Sequence, residues 1–330
     1  MVLDIMIPLG IGLTIFMFGM KVMELAMHYW AGAHLQSVLE RFTATPLRGM
    51  LAGTGLTALL QSSTAITVIT IGLVNAGVLT FPRTLGIILG TNIGTCLTTE
   101  LIGLNLTHMA VPILFVSSSI SLASWLIPAK AVRAASAGSV SRSLYAVRYL
   151  SLAVCGFACV LAGVEVMQSI VPALKARGMV DLFQEYAQKS RLWGVLAGAV
   201  LTAVIHSSSA AIAMTMALAS LDAISVDLGI AIVLGANIGT CFTGLIASLG
   251  GGRSGQFVAW SHVLLNVGGA MLFFPLIPVL QTVTEWMSGD PAGQLARAQT
   301  VFNVACSLIA LPICYTRLFR DERGHGKPRR

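Results

Sequence analysis

Residues 49–98 read GMLAGTGLTALLQSSTAITVITIGLVNAGVLTFPRTLGIILGTNIGTCLT, and residues 194–243 read GVLAGAVLTAVIHSSSAAIAMTMALASLDAISVDLGIAIVLGANIGTCFT. The two stretches align without a gap, and 21 of the 50 positions are identical. Each copy carries the same two polar signatures. The first is Gln61-Ser62-Ser63-Thr64 in one copy and His206-Ser207-Ser208-Ser209 in the other. The second is Gly90-Thr91-Asn92-Ile93-Gly94-Thr95-Cys96, matched by Gly235-Ala236-Asn237-Ile238-Gly239-Thr240-Cys241. Both interrupt strongly apolar sequence, so the chain is an internal repeat before it is anything else.

Outward from the repeat, composition places the chain in a membrane. Hydrophobic residues make up 56% and charged residues 10%, against about 25% charged in a soluble domain. Mean hydropathy is +0.84. Seven stretches are long enough to cross the hydrocarbon, which takes about 20 helical residues: about 4–26, 81–103, 108–128, 147–170, 227–249, 256–280 and 298–317. The first lacks a basic start and a small-residue cleavage site and reads as a retained span. The net charge of +7 is concentrated in the 129–148 connection and the C-terminal tail. Such loops are an orientation signal, not a nucleic-acid footprint. The six cysteines all lie in apolar segments, without metal-site spacing, and read as packing residues.

Two further segments, 49–76 and 194–221, are apolar but cut near the middle by the serine motif. Each half is too short to cross alone, so each segment is either one broken span or a re-entrant hairpin. Charge favours the hairpin. With the basic 129–146 connection in the cytoplasm, hairpins return the basic tail, 318–330, to the same side. The expected architecture is an all-α integral membrane protein of two inverted-topology repeats, each span–re-entrant hairpin–span–span, plus one C-terminal span. Repeat one covers 4–128, repeat two 147–280, and the last span 298–317. Inverted repeats place a site at the midplane where the hairpin tips meet. Non-helical backbone at that depth must be buried in protein or line a cavity. The expected location is a bacterial inner (plasma) membrane, with the C-terminus cytoplasmic.

A half-helix that begins at Ser62–Thr64 presents free N–H groups and a positive dipole end, joined by hydroxyl donors. Ser207–Ser209 repeat the arrangement. Such a cradle suits a tetrahedral oxyanion. The preceding half-helices end on carbonyl oxygens, and Asn92, Thr95, Asn237 and Thr240 add side-chain oxygens of the kind a hard cation takes. Gly90, Gly94, Gly235 and Gly239 let that helix break or let a hairpin tip approach closely. No lysine or arginine lies at either tip, so co-bound cations must offset an anion's charge. Elsewhere, His262, Asn266 and Asn303 read as helix–helix hydrogen-bonding residues, Ser117–Ser119 as packing, Glu100 and Glu165 as interfacial, and Asp222 and Asp227 as a solvated connection.

Paired serine motifs in inverted repeats, each followed by G-x-N-I-G-T, resemble the sodium/phosphate cotransporter family over about 4–280. The resemblance implies sodium-coupled transport of inorganic phosphate by alternating access. Phosphate would be held by Gln61, Ser62, Ser63, Thr64, Ser207, Ser208 and Ser209, and sodium by Gln61, Asn92, Thr95, His206, Asn237 and Thr240. Sodium is then a coupling ion, with no organic cofactor and no transition metal. His206 stands where the family pattern usually has glutamine. Many bacterial relatives carry a PhoU-like domain after the membrane part; the expectation here is that such regulation is absent or comes from a separate PhoU-like protein, and a homodimer is compatible with the small-residue faces. Another oxyanion, sulfate or arsenate, is the competing cargo. A passive channel and a serine hydrolase using His206 are remote alternatives. The hydrolase is disfavoured because copy one has Gln61 in place of a base.

Overall fold

Backbone groups in hydrocarbon must find partners inside their own segment, and helices do this without edges. The regular structure among the described residues is accordingly all helical. The computed structural model describes residues 2–32, 35–127, 139–182, 185, 190–249 and 252–316. Most of the 129–146 connection and the 318–330 tail lie outside the described residues. The helices are α1 (Ile7–Ala31), α2 (Leu35–Phe42), α3 (Pro46–Leu60), α4 (Ser63–Asn75), α5 (Phe81–Ile102), α6 (Ala110–Leu126), α7 (Ser139–Gln168), α8 (Val171–Ala176), α9 (Leu192–Ile205), α10 (Ser208–Ala219), α11 (Val226–Ser248), α12 (Arg253–Phe273), α13 (Ile277–Met287) and α14 (Pro291–Ala310).

Among the described residues, seven helical stretches are long and apolar enough to cross a membrane: Leu3–Ala31, Phe81–Ile102, Thr107–Leu126, Ser143–Ala176, Val226–Ser248, Arg253–Met287 and Pro291–Tyr315. They coincide with the seven expected spans, with different ends. The last begins at Pro291 because Asp290 caps it, its carboxylate accepting from Gly293 N at 2.9 Å.

The chain forms two compact units, 1–34 with 105–177 and 35–104 with 178–330. They cut across the repeat boundaries read from the sequence. In the first unit α1 and α7 touch backbone to backbone: a Cβ on Gly19 would stand 2.5 Å from the Gly156 carbonyl oxygen. The small-residue stripe thus replaces the hydrophobic drive that lipid cannot supply. Arg148 closes the end of α6, donating to the Ser124 and Ile127 carbonyls while lying 5.0 Å from the centre of the Trp125 ring. Tyr29, Tyr145 and Tyr149 cluster there, as aromatic residues do at a membrane interface.

The second unit holds both hairpins. α3 and α4 have 15 and 13 residues, about 22 and 20 Å at 1.5 Å per residue, short of a 30 Å core. α3 runs parallel to α5. A Cβ on Gly86 would meet Pro46, one on Gly90 would meet Met50, and Thr98 Oγ1 donates to Gln61 Oε1 at 2.5 Å. The chain then returns along α4. Asn75, at its end, accepts from Gly255 N at the start of α12, and Phe81, at the start of α5, packs on Phe257 of α12 with centroids 4.4 Å apart. α3 and α4 therefore form a hairpin that enters and leaves at one end of α5. α9 and α10 repeat this against α11, with Gly235 facing Val195 and Gly239 facing Ala199 and Thr202.

α14 packs antiparallel to α5. Thr99 donates to Gln299, Asn303 donates to the Cys96 sulfur, and Ser307 donates to the Leu89 carbonyl. Glu100, near the end of α5, is paired across to α14. Its carboxylate pairs with Arg297 and accepts from Thr300, with side chains of Glu100 and Arg297 only 23% and 25% exposed.

Candidate functional site

Both hairpin tips are built by the same two backbone steps. Gln61 ends α3 in the left-handed region (φ 56°, ψ 26°), and Ser62 turns extended (φ −143°, ψ 95°) before α4 begins at Ser63. His206 (φ 57°, ψ 25°) and Ser207 (φ −148°, ψ 107°) do the same between α9 and α10. A non-glycine residue in the left-handed region is uncommon, and here it serves as the helix C-cap. Ser62 and Ser207 cap the following helices, their hydroxyls accepting from Ala65 N at 3.3 Å and Ala210 N at 3.2 Å.

These roles sort the expected residues. Ser63, Thr64, Asn92, Thr95, Ser208, Asn237 and Thr240 line one cavity of about 10 Å³, together with Thr67, Val68, Thr243, Gly244 and His262. All belong to the second unit. Gln61, Ser62, His206, Ser207 and Ser209 are not among the lining residues. Gln61 is spent on Thr98 and the Ala58 carbonyl. Ser62 and Ser207 are spent on capping. The His206 side chain is exposed, and Ser209 is buried away from the cavity.

The four glycines do not break their helices. α5 and α11 run unbroken through them. They allow close approach instead: a Cβ would stand 2.1 Å from Met50 O at Gly90, 2.7 Å from Thr54 O at Gly94, 1.9 Å from Val195 O at Gly235 and 2.5 Å from Ala199 O at Gly239. The polar side chains of α5 and α11 thus reach the cavity from intact helices. Asn92 and Asn237 are each the twelfth residue of helices of 22 and 23 residues, about half-way along.

The cavity wall separates donors from acceptors. Among the described residues, the hydroxyls of Ser63, Thr64 and Ser208 have no hydrogen-bond partner, and Ser63 and Ser208 are the first residues of α4 and α10. They offer O–H and helix N-terminal groups. Thr95, Thr240 and Thr243 are committed the other way. Their hydroxyls donate to the carbonyls of Thr91, Asn237 and Thr240, at 2.8, 2.6 and 2.9 Å, leaving lone pairs for the cavity. Among the described residues, no charged side chain lines it.

Five lining residues escaped the motif reading. Thr67 and Thr243 lie one helical turn beyond Ser63 and Thr240, a spacing that puts them on the same helix face. Val68 and Gly244 carry no polar signal. His262 was legible only as a helix–helix contact, which it also makes: its Nε2 lies 3.1 Å from Asn92 Oδ1, and Asn92 Nδ2 donates to Asn266 at 3.3 Å.

Paired broken segments around a polar midpoint in a seven-span helical protein define a membrane transporter rather than an enzyme. The profile of the Na+/Pi-cotransporter family matches residues 15–169 and 159–289, and the chain belongs to that family. It is 33% identical over 304 residues to the protein YqeW of Bacillus subtilis (strain 168), covering 92% of each chain. It is 25% identical over 299 residues to a protein of Escherichia coli (strain K12) whose name reads "Putative inorganic phosphate export protein YjbB", covering 88% of this chain and 51% of that one. A shorter stretch of 91 residues, 26% of this chain and 15% of the relative, is 38% identical to sodium-dependent phosphate transport protein 2C of Homo sapiens. No solved structure matches.

Proposed function

We propose that this chain is a secondary active transporter that couples sodium movement to inorganic phosphate transport, by alternating access at the cavity between the two hairpin tips. The observation that carries the reading is the sorting of donors and acceptors around one uncharged cavity. Ser63, Thr64 and Ser208, with the starts of α4 and α10, are the anion's donors. Asn92, Thr95, Asn237, Thr240 and Thr243 are the oxygen ligands of sodium. With no lysine or arginine on the wall among the described residues, an anion is held only when cations enter with it, and that is the physical origin of coupling. Each sodium entering down a 100 mV potential contributes about 2.3 kcal/mol.

A cavity of about 10 Å³ has room for one water-sized body, not for a tetrahedral oxyanion. Phosphate therefore requires the tips to part, as alternating access demands. The reading takes the two repeats as inverted. Its support is that the start of α11 and the end of α5 both lie against the start of α14: a Cβ on Gly229 would stand 2.7 Å from the Leu295 side chain, and one on Gly103 2.9 Å from the Ala296 side chain. The relatives' names, phosphate export in one and sodium-dependent phosphate transport in another, agree in cargo. The direction of net flux follows the gradients. The reading places the protein in a bacterial inner membrane with its basic tail cytoplasmic.

The test is counterflow of radiolabelled phosphate in proteoliposomes with and without sodium, comparing the starting protein with Ser63→Ala and Ser208→Ala. Each substitution removes a hydrogen bond to an anion and is expected to lower transport roughly tenfold to a hundredfold, with normal insertion. Wild-type rates in both would remove the site assignment.

A further inference from the structure

His262 is about 94% buried, lines the cavity, and its Nδ1 is a buried polar atom without a hydrogen-bond partner. An orphaned ring nitrogen is costly to keep and invites a ligand that satisfies it. What that nitrogen presents can be worked out from its neighbours. The His262 backbone carbonyl can only accept, and the Asn266 amide lies 3.0 Å from it. Asn266 therefore turns its Nδ2 to that carbonyl and its Oδ1 to Asn92. Asn92 must then present Nδ2 to Asn266, at 3.3 Å, and Oδ1 to His262 Nε2, at 3.1 Å. An amide oxygen can only accept, so Nε2 carries the proton. Among the described residues, no acidic side chain lines the cavity to hold a second proton on the ring. Nδ1 consequently offers a lone pair, close to Gly244 of the cavity wall, 3.8 Å from where a Cβ would stand there.

The duplication does not explain this residue. At the offset that aligns the two copies, His262 falls opposite Ser117, in α6 of the first unit. The site thus carries a single ring acceptor among hydroxyl donors, and it breaks the symmetry of the repeats.

We propose that His262 is the specificity-determining residue of the site, its Nδ1 accepting a hydrogen bond from the P–OH group of a protonated tetrahedral oxyanion. The inference rests on the transport reading above and refines its cargo. Hydrogen phosphate and hydrogen arsenate carry a proton at neutral pH; sulfate does not. Bound sulfate would set an oxygen lone pair against the Nδ1 lone pair, with no proton between them. A site built to pair a hydroxyl rejects the analogue without one far more strongly than a size filter does.

The probe set is phosphate, arsenate, sulfate and monofluorophosphate, the last a near-isostere of hydrogen phosphate with fluorine in place of the hydroxyl. In sodium-dependent phosphate counterflow by the unaltered protein, arsenate should compete within a few-fold of phosphate, and sulfate and monofluorophosphate should be at least tenfold weaker. In His262→Phe, which keeps a ring and loses the nitrogens, phosphate affinity should fall roughly tenfold or more, and the preference over sulfate and monofluorophosphate should collapse toward unity. Sulfate and monofluorophosphate competing as well as arsenate in the unaltered protein would overturn the role of His262 while leaving phosphate transport standing. That arm decides the matter even where His262→Phe does not fold. An unchanged preference in a folded His262→Phe would overturn it too. Absence of any phosphate counterflow in the unaltered protein would sink the transport reading itself and the inference with it.

Discussion

Gly235→Ala adds one methyl group where α11 meets α9, and its cost can be worked from the contact it creates. The new Cβ would stand 1.9 Å from the Val195 carbonyl oxygen, 2.7 Å from its carbon and 2.9 Å from Val195 Cα. Ordinary contact begins at 3.4 Å, so the two helices must separate by about 1.5 Å. All three atoms are backbone, and no rotamer change relieves the clash. Overpacking of this kind costs about 1–3 kcal/mol, and the better helix propensity of alanine returns at most about 1 kcal/mol. With that return in full, the expected net is a destabilisation of up to about 2 kcal/mol. The functional effect should be larger. α9 ends at the tip that carries Ser208, and a displacement near 1 Å of a positioned group costs about a hundredfold in well-ordered sites. Phosphate counterflow should therefore fall at least tenfold, alongside a lowered melting temperature of the detergent-solubilised protein. Gly268→Ala in α12 is the control: a Cβ there meets nothing within 4 Å, so stability and transport should stay at or above the starting values. Gly235→Ala with unchanged melting and unchanged flux would refute the claim that backbone contact at this glycine sets the tip.

Removing one member of the Glu100–Arg297 pair leaves a charge between α5 and α14. Arg297→Gln should lower the melting temperature markedly, consistent with a loss of about 3–5 kcal/mol, and Glu100→Gln/Arg297→Gln should recover most of it; equal melting of single and double variants would refute the pairing. Asn75 accepts from Gly255 N in the first turn of α12, acting as a cap supplied by another helix. Asn75→Ala should cost about 1 kcal/mol, read as a small drop in melting temperature, and a neutral result would remove that cap.

Much of this protein is legible in its amino-acid sequence. A ruler of about 20 apolar residues found the seven spans, because hydrocarbon thickness and helix rise leave little freedom. The serine motifs located both helix interruptions because a polar, cap-forming run inside apolar sequence has few other uses at that depth. Gly-x-Asn-Ile-Gly-Thr located the second pair of polar groups facing the same cavity. What the motifs could not apportion was which atom of each faces inward. Gln61 and His206 are consecutive with the serines, yet the left-handed step at each tip turns them away from the cavity, and the extended step after it commits Ser62 and Ser207 to capping. The glycines read equally well as breaks or as contact surfaces, and only the neighbouring carbonyls of α3 and α9 decide for contact.

Periodicity, length and duplication, which are properties of one segment or of two segments aligned, thus determined the class, the spans and the residues around the tips. Only the folded chain decided that α12 swings His262 and Asn266 onto Asn92, and that Glu100 meets Arg297 nearly 200 positions away. The reason is that a hydrogen bond between distant helices depends on helix rotation and crossing, which packing against the rest of the unit sets and which leave no trace in local spacing.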